Sequence, residues 1–155
     1  MKHVNVTLIT LVALFSAELL HAQEPAQADF LRRISRAYME SDLDKVIEMT
    51  CWDGVSPEAK AKAMDRYKRE IALTATKVEL LGKEAGNWHE WTRGDATFVY
   101  NGDVLHTLVV HLQPGSKMQL RFGAIPVKEL RLPVGRVKGK LYLLRSIPKQ
   151  AGNAD

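Results

Sequence analysis

The hydrophobic pattern changes period near Thr74, and that change constrains the fold more than any other feature of the chain. Before it, apolar residues recur at helical spacing; after it, they alternate or run continuously. Phe30, Leu31, Ile34, Ala37 and Tyr38 form one stripe of a first helix predicted over Ala28–Glu40, with Arg32, Arg33, Arg36 and Glu40 in water. Ser41-Asp42-Leu43-Asp44 restarts the chain: Ser41 is the expected cap of a short second helix, which turns Leu43, Val46 and Ile47 inward. Trp52-Asp53-Gly54-Val55 reads as a turn. Ser56-Pro57-Glu58 is the clearest helix start, a capping serine ahead of a proline at the first helical position. The third helix is expected to end near Ala72, with Ala59, Ala63, Met64, Tyr67 and Ile71 inward. Lys60, Lys62, Asp65, Arg66, Lys68, Arg69 and Glu70 then form its solvated face.

Past Thr74 the readings are extended. Thr76–Leu81 is a strand, Gly82–Asn87 a loop and Trp88–Arg93 a second extended piece. Gly94-Asp95 interrupts before Ala96–Tyr100. Asn101-Gly102 predicts a type I′ hairpin, whose central residues both need positive φ. Val104–Leu112 is apolar on both faces, as a central strand buried on each side requires. Met118, Leu120 and Phe122 alternate with Gln119, Arg121 and Gly123 in a half-exposed strand. Pro126 and Pro133 are expected at edges or in loops, because proline cannot donate to a ladder. Gly139 turns the chain into a last strand, Lys140–Ile147. Helices first and strands after is an α+β order, with three helices covering one face of a curved antiparallel sheet.

Residues 1–22 read as a cleavable signal peptide. Lys2 supplies a weak basic start, Leu8–Ala17 is an apolar run too short to span a bilayer, and Ala22 is the expected cleavage point. Export follows as an expectation, to a periplasmic or extracellular site. Residues 23–27 would be a flexible lead-in, 28–148 a single domain and 149–155 a disordered tail. Cys51 is the sole cysteine, so an internal disulfide is excluded and stability must come from the core. Beside Trp52 and after a helical stretch, it reads as a buried structural thiol. The net charge of +4 comes from the C-terminal third: residues 117–149 hold nine Lys or Arg against one acid, Glu129.

The order of elements, with "YMESDLDKVIEM" after the first helix and a Ser-Pro-capped third, resembles the nuclear-transport-factor-2-like superfamily, also called SnoaL-like or ketosteroid-isomerase-like, over roughly residues 28–147. The resemblance implies a cone-shaped half-barrel whose open end forms an apolar pocket, and a dimer through the sheet. Members of that superfamily range from isomerases and dehydratases to inert binding modules. No motif places its catalytic carboxylates on residues of this chain.

Candidate chemistry is sparse. Three histidines follow the leader: His89, His106 and His111. His106 and His111 lie five apart on one strand, hence on opposite faces, and cannot share a metal. There is no second cysteine and no H-x-H or H-E-x-x-H spacing, so no metal or cofactor is implied. Trp88-His89-Glu90-Trp91 is the most unusual tetrapeptide. If extended, it puts Trp88 and Glu90 on one face and His89 and Trp91 on the other, a stacking or basic site at a pocket mouth or an ordinary strand edge. Acid–base chemistry would need His106 or His89 working with Tyr38. Among the strand-region acids Glu79, Glu90, Asp95 and Asp103, the last two adjoin glycines and read as turn residues. Arg136, Lys138 and Lys140 could bind an anion or a negatively charged envelope surface. Without interleaved aromatics, the basic third gives no sign of nucleic-acid binding. The reading that results is an exported, non-catalytic module that binds a small apolar ligand or a protein partner through Trp88, Trp91 and Tyr38. Membrane contact would come only through the leader or weak surface charge. The alternatives are a cofactor-free lyase or isomerase built on the His/Tyr pair, and a basic envelope-associated anion binder.

Overall fold

In the computed structural model, residues 24–149 are described; the expected leader at 1–22 and the tail from Gln150 onward lie outside the described residues. Pro25, with its φ preset for a helix, starts α1 (Pro25–Met39) three residues before the expected start at Ala28. The stripe buries Phe30, Ile34, Ala37 and Tyr38 as expected. Ser41 does not cap the next helix. It takes a left-handed φ of 56° and closes α1: its N–H donates to Tyr38 O, and that of Asp42 donates to Ala37 O at 2.8 Å. Asp42 is the cap, its carboxylate accepting from Lys45 N at 2.9 Å to start α2 (Leu43–Glu48). Ser56 caps α3 (Pro57–Ile71) through Ala59 N at 3.2 Å.

Among the described residues nine strands follow: β1 (Ala75–Gly82), β2 (Trp91–Arg93), β3 (Ala96–Tyr100), β4 (Val104–Leu112), β5 (Lys117–Leu120), β6 (Gly123–Pro126), β7 (Glu129–Val137), β8 (Lys140–Leu143) and β9 (Ser146–Pro148). The main sheet runs β1-β4-β7-β8, antiparallel throughout, and curls into a half-barrel with the three helices packed on one face. On β4 that face carries His106, Leu108, Val110 and Leu112; on β7 it carries Leu130, Leu132 and Val134. These leucines and valines meet Phe30, Ile34, Tyr38, Val46 and Tyr67 in one core. Residues Met49–Cys51 run beside β8, with Cys51 N donating to Leu143 O and Leu143 N to Met49 O, and so cover that edge of the sheet. Cys51 is buried there, as expected.

Four expectations are corrected, three in the strands and one in α3. β7 is a central strand and Pro133 is buried within it, opposite Thr107. It is tolerated because of where its missing donor points. The carbonyl of Pro133 accepts from Leu144 N at 2.9 Å, so its nitrogen also faces the β8 side, just past Leu143, where that strand has ended. Second, Lys140–Ile147 is two strands. β8 stays in the main sheet, and after Leu144-Arg145 the chain leaves as β9 to pair with β3 in a three-stranded sheet, β2-β3-β9. Third, Asn101-Gly102 is not a hairpin turn: neither residue has positive φ, and β3 and β4 belong to different sheets. The two-residue turn with positive φ at both positions is Lys138 (49°) and Gly139 (81°), between Val137 and Lys140. Fourth, Glu70 does not belong to the solvated face of α3; its residue is 1% exposed. It occupies the inward row with Ala63, Tyr67 and Ile71, at spacings of seven, three and one residues.

Candidate functional site

The face of the main sheet turned away from the helices presents Thr107, Val109 and His111 from β4, and Leu81, Pro133 and Gly135 from its neighbours. One end of this face is covered by the segment between β1 and β4. Trp88 Nε1 donates to Thr107 Oγ1 at 2.7 Å, which pins the indole over β4. The same indole lies against Gly86, where a Cβ would meet ring atoms at 2.1 Å, and stands edge-on to Tyr100 with centroids 5.8 Å apart. The Asp103 backbone crosses β7 so closely that a Cβ on Gly135 would sit 2.2 Å from Asp103 O.

Asn101 fixes this crossing. Its Nδ2 donates to Cys51 O and to Asp53 O, both at 3.0 Å, and its Oδ1 accepts from Arg145 N at 2.8 Å. Its own N–H donates to Arg145 O at 2.9 Å. One side chain thus ties the α2–α3 connection, the β8–β9 junction and the end of β3 together.

Between these pieces lies a cavity of about 590 Å³, within the size range of small-molecule sites. Trp88, His89 and Tyr100 supply its ring surfaces, and Glu84, Glu90 and Asp103 its carboxylates. Lys149 Nζ pairs with Glu90 Oε2 at 2.9 Å, whereas Glu84 and Asp103 have no cationic partner among the described residues. Lys83 also lines the cavity. The lining is therefore aromatic with a negative excess.

The structure divides the expected site residues among several places. Trp88 and His89 come together in the cavity, and Glu90 joins them, because residues 88–90 are irregular rather than a continuous strand. Trp91 is elsewhere: it pairs with Phe98 across β2–β3 and stacks on it with centroids 4.3 Å apart. Tyr38 is buried under the helices, beside Glu70 and Tyr67, in none of the described cavities. Burial, then Glu70 and Tyr67, push its hydroxyl well above the usual tyrosine range. His106 is half-buried between Gly82 and Val134, near Arg136 and Glu24; burial first, then Arg136, lowers its affinity for a proton. Tyr38 and His106 thus have separate surroundings. Arg136 pairs with Glu24 at 2.6 Å and Lys138 with Asp53 at 3.4 Å, while Lys140 lines a separate groove with Arg33, Asp29 and Glu48.

Two polar groupings were not legible as such. Glu70 Oε1 accepts from Arg66 Nε at 2.5 Å, but Glu70 Oε2 and Tyr38 Oη have no hydrogen-bond partner among the described residues. Tyr67 Oη next to them accepts from Thr50 Oγ1 at 3.2 Å. The signal for Glu70 was its place on the Ala63–Tyr67–Ile71 row. On the open end of the sheet's other face, Lys77, Glu79, His111, Glu129 and Arg131 form a charged row across β1, β4 and β7. His111 Nε2 and Glu79 Oε1 are 2.6 Å apart, and Lys77 and His111 hold the Glu79 carboxyl below the usual range. Each of the two carboxylates already has a basic partner, Lys77 or Arg131. Among the described residues no cluster of His, Cys, Asp and Glu could hold a metal ion. The chain matches no protein-family model, no curated protein and no solved structure.

Proposed function

We propose that this chain is an exported, non-catalytic binding module of nuclear-transport-factor-2-like architecture whose ligand site is the Trp88–Tyr100 cavity. The three helices on a curled half-barrel are compatible with that architecture. The space between helices and sheet is filled by Leu108, Val110, Leu132, Val134 and their partners, so the binding volume lies on the sheet's other side. The observation that carries the reading is the joint presence there of an edge-on aromatic pair and two carboxylates with no cationic partner among the described residues. Such a lining suits a small ligand with an apolar or aromatic body and a positively charged end, attracted both by the carboxylates and by the ring faces. An acid–base enzyme on Tyr38 and His106 has less support, since neither lines this cavity and each sits in its own surroundings.

Native mass spectrometry of the protein purified from its own host tests the reading. A co-purified small cation is expected, held by the wild type and lost from both Trp88→Ala and Glu84→Gln/Asp103→Asn. A co-purified anion, or a cation retained by both variants, would count against the site.

A further inference from the structure

The β5–β6 hairpin stands apart from the main sheet and pairs only with itself. Its apolar side begins at the core, where Met118 and Val127 pack, and continues outward through Ile125, which faces Met118, and Leu120. It ends at Phe122 in the tip, 93% exposed, with Leu120 at 40% and Ile125 at 47%. The Arg121 guanidinium lies 5.4 Å from the Phe122 ring centroid. From Val104 to Lys128 the chain has no acid, and its three formal charges, Lys117, Arg121 and Lys128, all lie at the hairpin or its base.

We propose that this hairpin is a wedge that inserts Phe122, with Leu120 and Ile125 behind it, into an anionic lipid surface. Water is the wrong neighbour for a projecting phenyl ring, and a basic collar around an apolar tip matches a negatively charged headgroup layer above acyl chains. A second copy of the chain is disfavoured as the occupant, because it would bring the same three cations against these. A globular protein partner is disfavoured by size: stable interfaces take about 800 Å² from each side, more than a narrow convex tip presents. A bilayer needs no matching pocket. No helix of the described residues is long and apolar enough to cross a membrane, so this contact would be peripheral.

Phe122→Trp places a reporter at the tip of the full chain. With vesicles of phosphatidylcholine plus phosphatidylglycerol, the new indole is expected to shift to the blue and to be quenched by lipids brominated in the acyl chain. Phosphatidylcholine alone should give neither effect. Adding Arg121→Glu should weaken binding about thirtyfold through a two-unit charge change, and Phe122→Ala should lower wild-type binding about tenfold. Trp52, Trp88 and Trp91 also emit, so the signal is read as the difference between Phe122→Trp and the wild type under the same conditions, in which contact made elsewhere in the chain cancels. An indole that stays in water with both vesicles overturns the proposal, as does equal insertion into both. So does a tip that ignores vesicles but binds polyglutamate, which would make it a protein-docking surface. Side chains this exposed can be changed without unfolding the domain, and unchanged far-ultraviolet circular dichroism confirms it for each variant.

Discussion

Replacing Asn101 with glycine separates two accounts of the segment that frames the cavity. In a type I′ hairpin, Asn-Gly and Gly-Gly serve almost equally, and Asn101→Gly would change stability little. In the observed structure Asn101 makes three side-chain hydrogen bonds, to Cys51 O, Asp53 O and Arg145 N. Each is worth about 1 kcal/mol net, and a group left unpaired where water reaches poorly costs about 1–3 kcal/mol. Cys51 is buried and Arg145 half-buried, whereas Asp53 is exposed and its carbonyl can be rehydrated. The expected loss is therefore about 2–4 kcal/mol for Asn101→Gly and about the same for Asn101→Ala. Asn101→Asp should cost at least as much, since it replaces a donor with a carboxylate oxygen facing two carbonyls at 3.0 Å. Urea denaturation followed by tryptophan fluorescence reads this as a lower midpoint at unchanged slope. A change within about 0.5 kcal/mol for Asn101→Gly, the range of an ordinary surface substitution, would refute the clamp and with it the account of how the cavity is held.

Three further outcomes concern two buried residues and the half-buried His106. Tyr38→Phe removes a buried hydroxyl with no partner among the described residues, so stability is expected to stay level or rise by up to about 1 kcal/mol; a loss larger than that in urea would mean the hydroxyl is bonded. Gly135→Ala forces its methyl against Asp103 O and should cost about 2–3 kcal/mol. Crosspeaks of Tyr100 and Asp103 should move with it in a two-dimensional NMR spectrum, and a silent spectrum would contradict the close crossing. His106 holds its proton less tightly when folded than at the ordinary value of about 6.5. The unfolded chain therefore protonates first, and the native state loses stability as pH falls from about 6.5 through the lowered native value. In His106→Gln that part of the pH dependence should flatten; parallel curves for the two proteins would contradict it.

Much of this architecture could be read from residues alone, because local signals and tertiary packing agree. The Ser56-Pro57 start, the Phe30–Tyr38 stripe and the doubly apolar Val104–Leu112 run each became the element expected of it. The failures share a cause, which is that the deciding partner lies far along the chain. Pro133 is acceptable in a central strand only because β8 stops at Leu143, a fact of sheet topology. Asn101-Gly102 has the local chemistry of a hairpin, but its asparagine is claimed by carbonyls some fifty residues away. Ser41 looks like a cap in sequence and serves as the left-handed residue that ends the helix before it. At the site, Trp88 and His89 could be picked out as unusual, whereas Tyr100, Glu84 and Asp103 join them only through the crossing over Gly135. Glu70 was hidden among seven alternating charges, and periodicity alone marks it as inward.

Whether the Trp88–Tyr100 cavity receives a cationic ligand is tested most directly by the indole N–H signal of Trp88 in a ¹H–¹⁵N spectrum during titration with benzyltrimethylammonium. This resonance, held in place by its bond to Thr107, is expected to shift along a saturable curve that Glu84→Gln/Asp103→Asn weakens, while the Trp52 and Trp91 indoles stay put. A Trp88 signal that does not move, or one that moves no more than the other two, would contradict it.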